Sequence, residues 1–188
     1  MARLAARLAG QGLTANGVTV TGFVIGLVAI IAISQQLFWI GLLGLMINRF
    51  CDGLDGALAR QAGPTDLGGF LDIVLDFIIY AGFVFGFALA DPVANGLPAA
   101  FLLFSFMGTG SSFLAFAIMA EKRQISTDIR GRKSLYYLGG LTEGTETILV
   151  LALCCVLPFW FPQIAVVFGF MCWVTTVARI FWGYQALR

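Results

Sequence analysis

The chain has 188 residues, of which 60% are hydrophobic and only 11% are charged, and its mean hydropathy is +0.93. Soluble domains contain about 25% charged residues, so this composition excludes a soluble globular protein and indicates an integral membrane protein. The net charge of +1 gives no reason to expect nucleic acid as a partner, and the absence of histidine excludes a His-ligated zinc site and a histidine base.

The first ten residues predict a short amphipathic helix at the membrane surface. Arg3 and Arg7 lie one helical turn apart, with Leu4 and Leu8 beside them. The alternative is a frayed basic leader. A secretory signal is not expected, because the apolar run that begins near Val18 is long enough to span a membrane and ends without a small-residue cleavage site.

Apolar runs long enough to cross the hydrocarbon layer, which needs about 20 helical residues, follow one another along the chain. The six runs cover residues 17–34, 37–58, 68–90, 97–120, 139–157 and 162–184. Polar or Gly/Pro-containing breaks separate them at 34–36, 59–66, 91–96, 121–134 and 158–162. The sequence therefore predicts an all-α membrane protein of six transmembrane helices, with residues 1–188 forming one domain.

The positive charges indicate the orientation of these helices. All eleven Lys and Arg residues fall in or near segments on the side of the two termini, and the three opposite turns hold none. Cytoplasmic loops of membrane proteins are enriched in Lys and Arg. We therefore expect both termini, and the Asp-rich turn between the second and third spans, to face the cytoplasm.

Five of the ten acidic residues lie between positions 51 and 77. Helical spacing predicts two faces that a hairpin could turn towards each other, one with Asp52, Asp55, Gly56 and Ala59, the other with Gly68, Asp72 and Asp76. A carboxylate costs about 2.5 to 3.5 kcal/mol at the centre of a membrane helix, so these groups need nearby protons or cations. Arg49 and Arg60 are too few to balance these negative charges, so divalent ions would supply the positive charge. A site with only oxygen ligands selects Mg²⁺, Mn²⁺ or Ca²⁺. The alternative is a polar network or small-residue helix packing.

The pattern Asp52-x-x-Asp55-Gly56-x-x-Ala59-Arg60, followed by Gly68-x-x-x-Asp72-x-x-x-Asp76, resembles the signature of the CDP-alcohol phosphotransferases, membrane enzymes that make phospholipid head groups. The six spans and the chain length are also similar to that family, and the stretch 13–16 resembles a short motif often found ahead of its first span. Two features differ from most members. The spacer between Arg60 and Gly68 is one residue shorter than is usual in the family, so either the turn is tighter or Gly69 partly takes the place of Gly68. In addition, Phe77 stands where many members have Lys.

The resemblance implies that an alcohol hydroxyl attacks the β-phosphorus of a CDP-linked lipid, usually CDP-diacylglycerol, and that CMP leaves. It implies two divalent ions, Mg²⁺ or Mn²⁺, bound by Asp52, Asp55 and Asp72, with Asp76 as a further ligand or as the general base. It also implies a CDP-lipid pocket formed by Asp52, Gly56, Ala59, Arg60 and Gly68. A homodimer in a bacterial inner membrane, with its active site facing the cytoplasm, is the corresponding expectation.

The acceptor alcohol remains open between a serine-like compound, a polyol and a polyol phosphate. Asp76, Glu146 and Arg179 are each expected about eight residues, or roughly 12 Å, inside the cytoplasmic ends of their helices, so that they could line one cavity. Glu143, which should share a helix face with Glu146, could line it as well; the alternative is a structural ion pair of these glutamates with Arg179 or a neighbouring Arg. A basic cluster could instead capture a phosphate group, or anchor the chain at anionic lipid; it consists of Arg130, Arg132 and Lys133.

Two further sets of residues predict packing. A stripe of small residues in the fourth span predicts a close helix contact, with a subunit contact as the alternative; it contains Ser105, Gly108, Gly110, Ser111 and Ser112. The cysteines lie in or beside apolar runs without CxxC spacing, which favours buried thiols; they are Cys51, Cys154, Cys155 and Cys172.

Two other functions would also require intramembrane carboxylates. Membrane prenyltransferases use Asp-rich motifs and Mg²⁺ to handle a diphosphate, but they need more spans and a different Asp spacing. A cation transporter or channel would carry polar groups in both halves of the bilayer or an internal repeat, whereas Asp91 is the only charge expected on the outer side. Both functions are therefore disfavoured.

Overall fold

The computed structural model describes residues 5, 7, 9, 10, 12–123 and 141–188. This part of the chain is helical and contains no β-strand, which confirms the all-α prediction for the described residues. Its helices are α1 (Ala15–Ser34), α2 (Phe38–Ala62), α3 (Asp66–Ala90), α4 (Pro92–Lys122), α5 (Gly144–Val156) and α6 (Phe161–Leu187), with a 3₁₀ turn at Pro158–Trp160.

Among the described segments, four are long and apolar enough to cross a membrane: α1, α3, α4 and the segment Pro158–Leu187, which contains α6. Helix α2 has 25 residues but carries Arg49, Asp52, Asp55 and Arg60, and α5 has only 13 residues. The membrane class thus rests on four candidate spans. The count of six and the cytoplasmic position of both termini stay predictions.

Helices α2 and α3 form the expected hairpin, but the turn between them is shorter than the break predicted at residues 59–66. Helix α2 continues through Ala62 and ends at Gly63, whose φ of +95° favours glycine. Thr65 then caps α3, because its Oγ1 accepts a hydrogen bond from the Gly68 N–H at 3.1 Å. The turn therefore occupies only residues 63–65, and the carboxylates on both sides of it lie within regular helix.

The predicted break at 91–96 is wrong. Helix α4 begins at Pro92, directly after Asp91, whose Oδ1 accepts a hydrogen bond from the Ala94 N–H at 3.0 Å. Proline fits the first position of a helix, since the N–H it lacks would have no partner there. The dipeptide Asp-Pro thus starts a helix immediately, and α3 and α4 are joined by a single residue.

Helix α1 lies against both α2 and α3 because glycines let the backbones approach. A Cβ added at Gly22 would lie 2.7 Å from the Cβ of Cys51 on α2, and one added at Gly26 would collide with Ile79 on α3. This close approach brings the first turns of α1 to the carboxylate-bearing ends of α2 and α3. It therefore decides which α1 side chains reach the candidate site.

Helix α4 packs against α6 and α3 through the small-residue stripe. A Cβ at Gly108 would lie 3.0 Å from Thr176 Oγ1 on α6, and one at Gly110 would lie 2.9 Å from the Phe77 ring on α3. Ser105 is fully buried. The predicted helix contact is confirmed for Ser105, Gly108 and Gly110, whereas Ser111 is exposed and the subunit contact stays a prediction.

The core holds stacked aromatic rings and buried thiols. Phe87 stacks between Phe38 and Phe161, with ring centroids 5.7 and 4.6 Å apart. All four cysteines are free thiols; Cys51 is half-buried, and the fully buried ones are Cys154, Cys155 and Cys172. The prediction of buried thiols is confirmed for these three and wrong for Cys51, which stands next to Asp52 in the polar part of α2.

At the N-terminus, Arg7 is exposed and Ala5 is buried in a cluster with Val18 and Leu54. The remaining residues of the predicted surface helix, Arg3, Leu4 and Leu8, lie outside the described residues.

Candidate active site

Three aspartates from two helices form the centre of the site. Asp52 and Asp55 lie three residues apart on α2, and Asp72 faces them from α3, so that one carboxylate oxygen from each lies within 4.8 Å of the others. Asp55 is buried, Asp52 is half-buried and Asp72 is exposed. The convergence expected from the helical spacing is therefore present, and the cluster opens to the surface on its Asp72 side.

The chemistry of these donors suits a hard divalent ion. Three carboxylates provide only oxygen ligands, which Mg²⁺ and Mn²⁺ prefer, and their negative charges need compensation. None of the three forms an ion pair as short as 3.5 Å with a described basic residue; the nearest is Arg49 Nη1, which lies 3.6 Å from Asp52 Oδ2. Asp52, Asp55 and Asp72 are thus the residues that could hold a metal ion.

Thr19 of α1 orients the buried member of this group. Its Oγ1 lies 2.5 Å from Asp55 Oδ2 and donates its proton there, although the Ala15 carbonyl is also in range at 3.0 Å. A hydrogen bond to a carboxylate is the stronger of the two because the acceptor is charged. The sequence reasoning missed Thr19, because no spacing rule connects it with a motif that begins 33 residues later.

Asp76 has a different environment from the other three aspartates. The Arg49 guanidinium donates to both of its oxygens, with Nη2 at 2.6 Å from Oδ1 and Nη1 at 3.0 Å from Oδ2. The Tyr80 hydroxyl donates to Oδ2 as well, at 3.0 Å. All four aspartates line one cavity. Asp76 is therefore the member of the set that is hydrogen-bonded to Arg49, whose Nη1 also lies 3.6 Å from Asp52 Oδ2.

The Arg49 side chain is itself held in place. Its Nε and Nη2 both donate to Asn48 Oδ1, at 2.9 and 2.7 Å, and the buried Asn48 amide donates to the Gly22 carbonyl at 2.9 Å. Arg49 entered the sequence reasoning only as an insufficient counter-charge. The signal that could have identified it is its position three residues before Asp52, which puts it on the same helix face.

The residues expected to form the CDP-lipid pocket lie on the two helices that carry the aspartates, but of this set only Asp52 lines the aspartate cavity. Among the described residues, a Cβ added at Gly56 would meet the Arg60 guanidinium alone, at 3.5 Å, so this part of the chain leaves the helix surface open there. Arg60 is exposed and Ala59 is half-buried. Gly68 lies in the first turn of α3, where a Cβ would approach Thr65 Oγ1 and an Asn16 side-chain oxygen, at 3.1 and 3.3 Å.

The glutamates expected to line an acceptor cavity form a helix cap. Glu143 precedes α5, and the Glu146 carboxylate accepts a hydrogen bond from the Glu143 N–H at 3.0 Å while the Glu143 side chain accepts one from the Glu146 N–H. The expected depth of Glu146 is therefore wrong, because this reciprocal capping starts α5 at Gly144. The shared helix face is also wrong, since Glu143 lies outside the helix. Neither glutamate forms an ion pair with another described residue.

Arg179 of α6 contacts α4 and does not line the aspartate cavity. Its Nη1 donates to the Thr109 carbonyl of α4 at 3.1 Å, and its guanidinium lies 5.6 Å from the Phe113 ring centroid. One turn earlier, Thr175 accepts a hydrogen bond from the Thr142 N–H at 3.2 Å, which attaches the start of α5 to α6. The predicted basic cluster lies outside the described residues; it consists of Arg130, Arg132 and Lys133.

The start of α5 also lies next to the partners of Asp76. A Cβ added at Gly144 would lie 3.5 Å from the Tyr80 hydroxyl. Tyr80 thus stands between Asp76 and the end of α5 that carries the two glutamates. This contact puts the start of α5 beside a partner of Asp76, although the two belong to distant parts of the sequence.

A family model and two known proteins match this chain in sequence. The family model described as CDP-alcohol phosphatidyltransferase matches residues 12–180. The chain is 52% identical over 177 residues, 94% of its length and 86% of the relative, to the inner membrane protein YnjF of Escherichia coli. It is 37% identical over 106 residues, 56% of each chain, to the archaetidylinositol phosphate synthase of Pyrococcus horikoshii.

A solved structure shares the fold. It is the phosphatidylinositol phosphate synthase PgsA1 of Mycobacterium tuberculosis with CDP-DAG bound, and it matches with a TM-score of 0.60 and 23% identity, over 98% of this chain and 89% of that one. The family match includes the whole aspartate motif and both helices that carry it. The chain therefore belongs to the CDP-alcohol phosphatidyltransferase family.

Proposed function

We propose that this chain transfers a phosphatidyl group from CDP-diacylglycerol to the hydroxyl of a small alcohol and releases CMP. The observation that carries the proposal is the convergence of Asp52, Asp55 and Asp72 within 4.8 Å, in a chain of the CDP-alcohol phosphatidyltransferase family. Three carboxylates from two helices form a charge cluster suited to divalent ions, and a diphosphate donor needs such ions. A transporter would not require this family signature.

Two divalent ions, Mg²⁺ or Mn²⁺, would be held by Asp52, Asp55 and Asp72, with Asp76 contributing to the second. When bound, they would neutralise the donor diphosphate and stabilise the leaving CMP. The open helix surface at Gly56 and the exposed Arg60 would accommodate the nucleotide end of the donor. Ala59 and Gly68 would complete this pocket.

Asp76 would also take the proton of the attacking hydroxyl. The chain has no histidine, so a carboxylate is the available base of suitable strength near the aspartates. Arg49 and Tyr80 fix the carboxylate of Asp76 through three hydrogen bonds. A fixed carboxylate beside the reacting phosphorus would orient the hydroxyl as well as accept its proton.

For the acceptor, a polyol phosphate is the favoured class. One relative is named archaetidylinositol phosphate synthase, and Arg179 lies one turn after Thr175, which accepts a hydrogen bond from Thr142 ahead of α5. The basic cluster Arg130, Arg132 and Lys133 would bind the phosphate group together with Arg179. Glu143 and Glu146 have carboxylate oxygens beyond those used in capping, and these would accept hydrogen bonds from polyol hydroxyls.

The reaction is proposed to occur at the cytoplasmic face of a bacterial inner membrane, in a homodimer. The distribution of Lys and Arg supports this orientation, and the Escherichia coli relative is named an inner membrane protein. Crosslinking in native membranes would test the dimer, and cysteine labelling of residues near position 64 from each side would test the orientation.

The direct test is CMP release by the purified protein in detergent, with CDP-diacylglycerol and Mg²⁺ or Mn²⁺. Serine, inositol, glycerol 3-phosphate and inositol phosphate are offered separately, and Asp76→Asn is the inactive control. CMP release that requires inositol phosphate and is lost in the variant would establish both the reaction and the acceptor class. No CMP with any acceptor, together with no binding of Mn²⁺, would refute the transferase.

A further inference from the structure

Arg49 and Asp76 form the shortest ion pair between described residues, at 2.6 Å, and it lies inside the aspartate cavity. We propose that Arg49 is a positioning residue that competes with the second divalent ion for Asp76, so that the two ions bind in sequence. This proposal rests on the proposed function, because it concerns the ions that the transferase would use. It assigns a role to a residue outside the family motif.

The first step of the argument is the occupancy of the Asp76 oxygens. Oδ1 accepts from Arg49 Nη2, and Oδ2 accepts from both Arg49 Nη1 and the Tyr80 hydroxyl. A cation approaching Asp76 must therefore displace a charge-assisted hydrogen bond. Asp52 has Arg49 Nη1 at 3.6 Å, beyond hydrogen-bond distance, so an ion can enter among Asp52, Asp55 and Asp72 without displacing a hydrogen bond from Arg49.

The second step is the rigidity of the guanidinium. Its side chain is only 11% exposed, and Asn48 Oδ1 accepts hydrogen bonds from its Nε and Nη2. Asn48 is in turn fixed to the Gly22 carbonyl of α1. Arg49 also donates to the Tyr80 hydroxyl at 3.1 Å. Moving the guanidinium away from Asp76 would break or lengthen several hydrogen bonds at once, so it is a strong competitor.

The consequence is a difference in affinity between the two ions. The first ion binds at the three carboxylates, whereas the second gains Asp76 only at the expense of Arg49. The negative diphosphate of the donor would favour this exchange, since it adds ligands for the ion and an alternative partner for the guanidinium. Without donor, the second ion should therefore bind more weakly than the first.

The test is a Mn²⁺ titration without substrate, in which electron paramagnetic resonance measures the free ion. The wild-type protein should bind one ion tightly and a second more weakly. Arg49→Gln should tighten the second step by about tenfold, the effect of losing one charge-assisted pair, and change the first step much less. Arg49→Lys should give an intermediate value, because Lys keeps the charge without the two-pronged contact. Arg188→Gln, which removes one exposed charge at the end of α6, is the matched control and should change neither step.

A second pair of variants separates competition from a general loss of positive charge. With Asp76→Asn, the second step should be lost, and adding Arg49→Gln should not restore it, since Arg49 acts through Asp76. Restoration in the double variant would overturn the proposal, as would two equal steps in the wild-type protein or no effect of Arg49→Gln. Those results leave metal binding intact, whereas failure to bind any Mn²⁺ would overturn the metal-dependent transferase as well.

Discussion

Thr19 of α1 donates a hydrogen bond to Asp55 of α2, with 2.5 Å between Oγ1 and Oδ2. Asp55 is the buried member of the three-aspartate cluster, so its carboxylate has few other partners that could fix its direction. Residues that orient a metal ligand commonly contribute about 10- to 100-fold to metal affinity. The first helix thus takes part in the site, although the motif lies entirely on α2 and α3.

Thr19→Val should therefore weaken binding of the first divalent ion by about tenfold, because Val keeps the shape of the side chain but cannot donate a hydrogen bond. Thr19→Ser should retain most of the affinity. Thr21→Val is the matched control, since the Thr21 hydroxyl donates to the Gly17 carbonyl of its own helix and to no other described residue. Isothermal titration with Mn²⁺ measures all three, and equal affinities for Thr19→Val and Thr21→Val would contradict the orienting role.

Removing a carboxylate from the cluster should remove both metal binding and activity. Asp55→Asn leaves only Asp52 and Asp72 as charged ligands, so CMP release should fall by at least about a hundredfold, since loss of a ligand affects the ion more than loss of its orienting partner. Asp66→Asn makes the same chemical change in the first turn of α3, outside the cluster, and should keep near wild-type activity. A similar loss in both variants would indicate a fold defect instead of a metal role.

The two glycines at the start of α3 should respond differently to alanine. A Cβ at Gly68 would come within 3.1 Å of Thr65 and 3.3 Å of Asn16, whereas one at Gly69 would meet nothing within 4 Å. Alanine favours helix over glycine by about 1 kcal/mol, so neither variant should lose stability through helix propensity. We expect Gly68→Ala to lower kcat/KM for the CDP-lipid by roughly tenfold and Gly69→Ala to leave it unchanged.

This comparison also decides how the short spacer is accommodated. Steady-state kinetics with CDP-diacylglycerol as the varied substrate provides the measurement, and a thermal unfolding curve for each variant provides the control. A larger kinetic effect at Gly69 would mean that Gly69 takes the place of the family glycine.

The cap of α5 gives a prediction for stability. Glu146→Ala removes the acceptor for the Glu143 N–H and should lower the free energy of unfolding by about 1 kcal/mol. Glu146→Gln keeps an acceptor oxygen, so its midpoint of thermal unfolding in detergent should match that of the wild-type protein. If both variants lose the same stability, the charge of Glu146 matters more than its capping bond.

Several features could be predicted from the sequence because they depend on local regularities. The composition identified a membrane protein, and the helical repeat put Asp52 and Asp55 on one face and Asp72 on the facing helix. Two helix boundaries differ from the prediction, because capping residues, and not the ends of the apolar runs, decide where these helices begin. Asp91 and Pro92 start α4 earlier than the polar residues indicated, and the Glu143–Glu146 cap starts α5 later than its apolar run indicated.

The sequence by itself determined the membrane class and the family, and it put the four aspartates on two adjacent helices, because residue spacing alone sets which side chains share a helix face. The tertiary structure decided that Thr19 orients Asp55 and that Arg49 pairs with Asp76. The Thr19 contact depends on how closely α1 approaches α2, and that distance is set by packing at Gly22. The Arg49 contact depends on the angle between α2 and α3, and that angle cannot be deduced from the residue spacing within either helix.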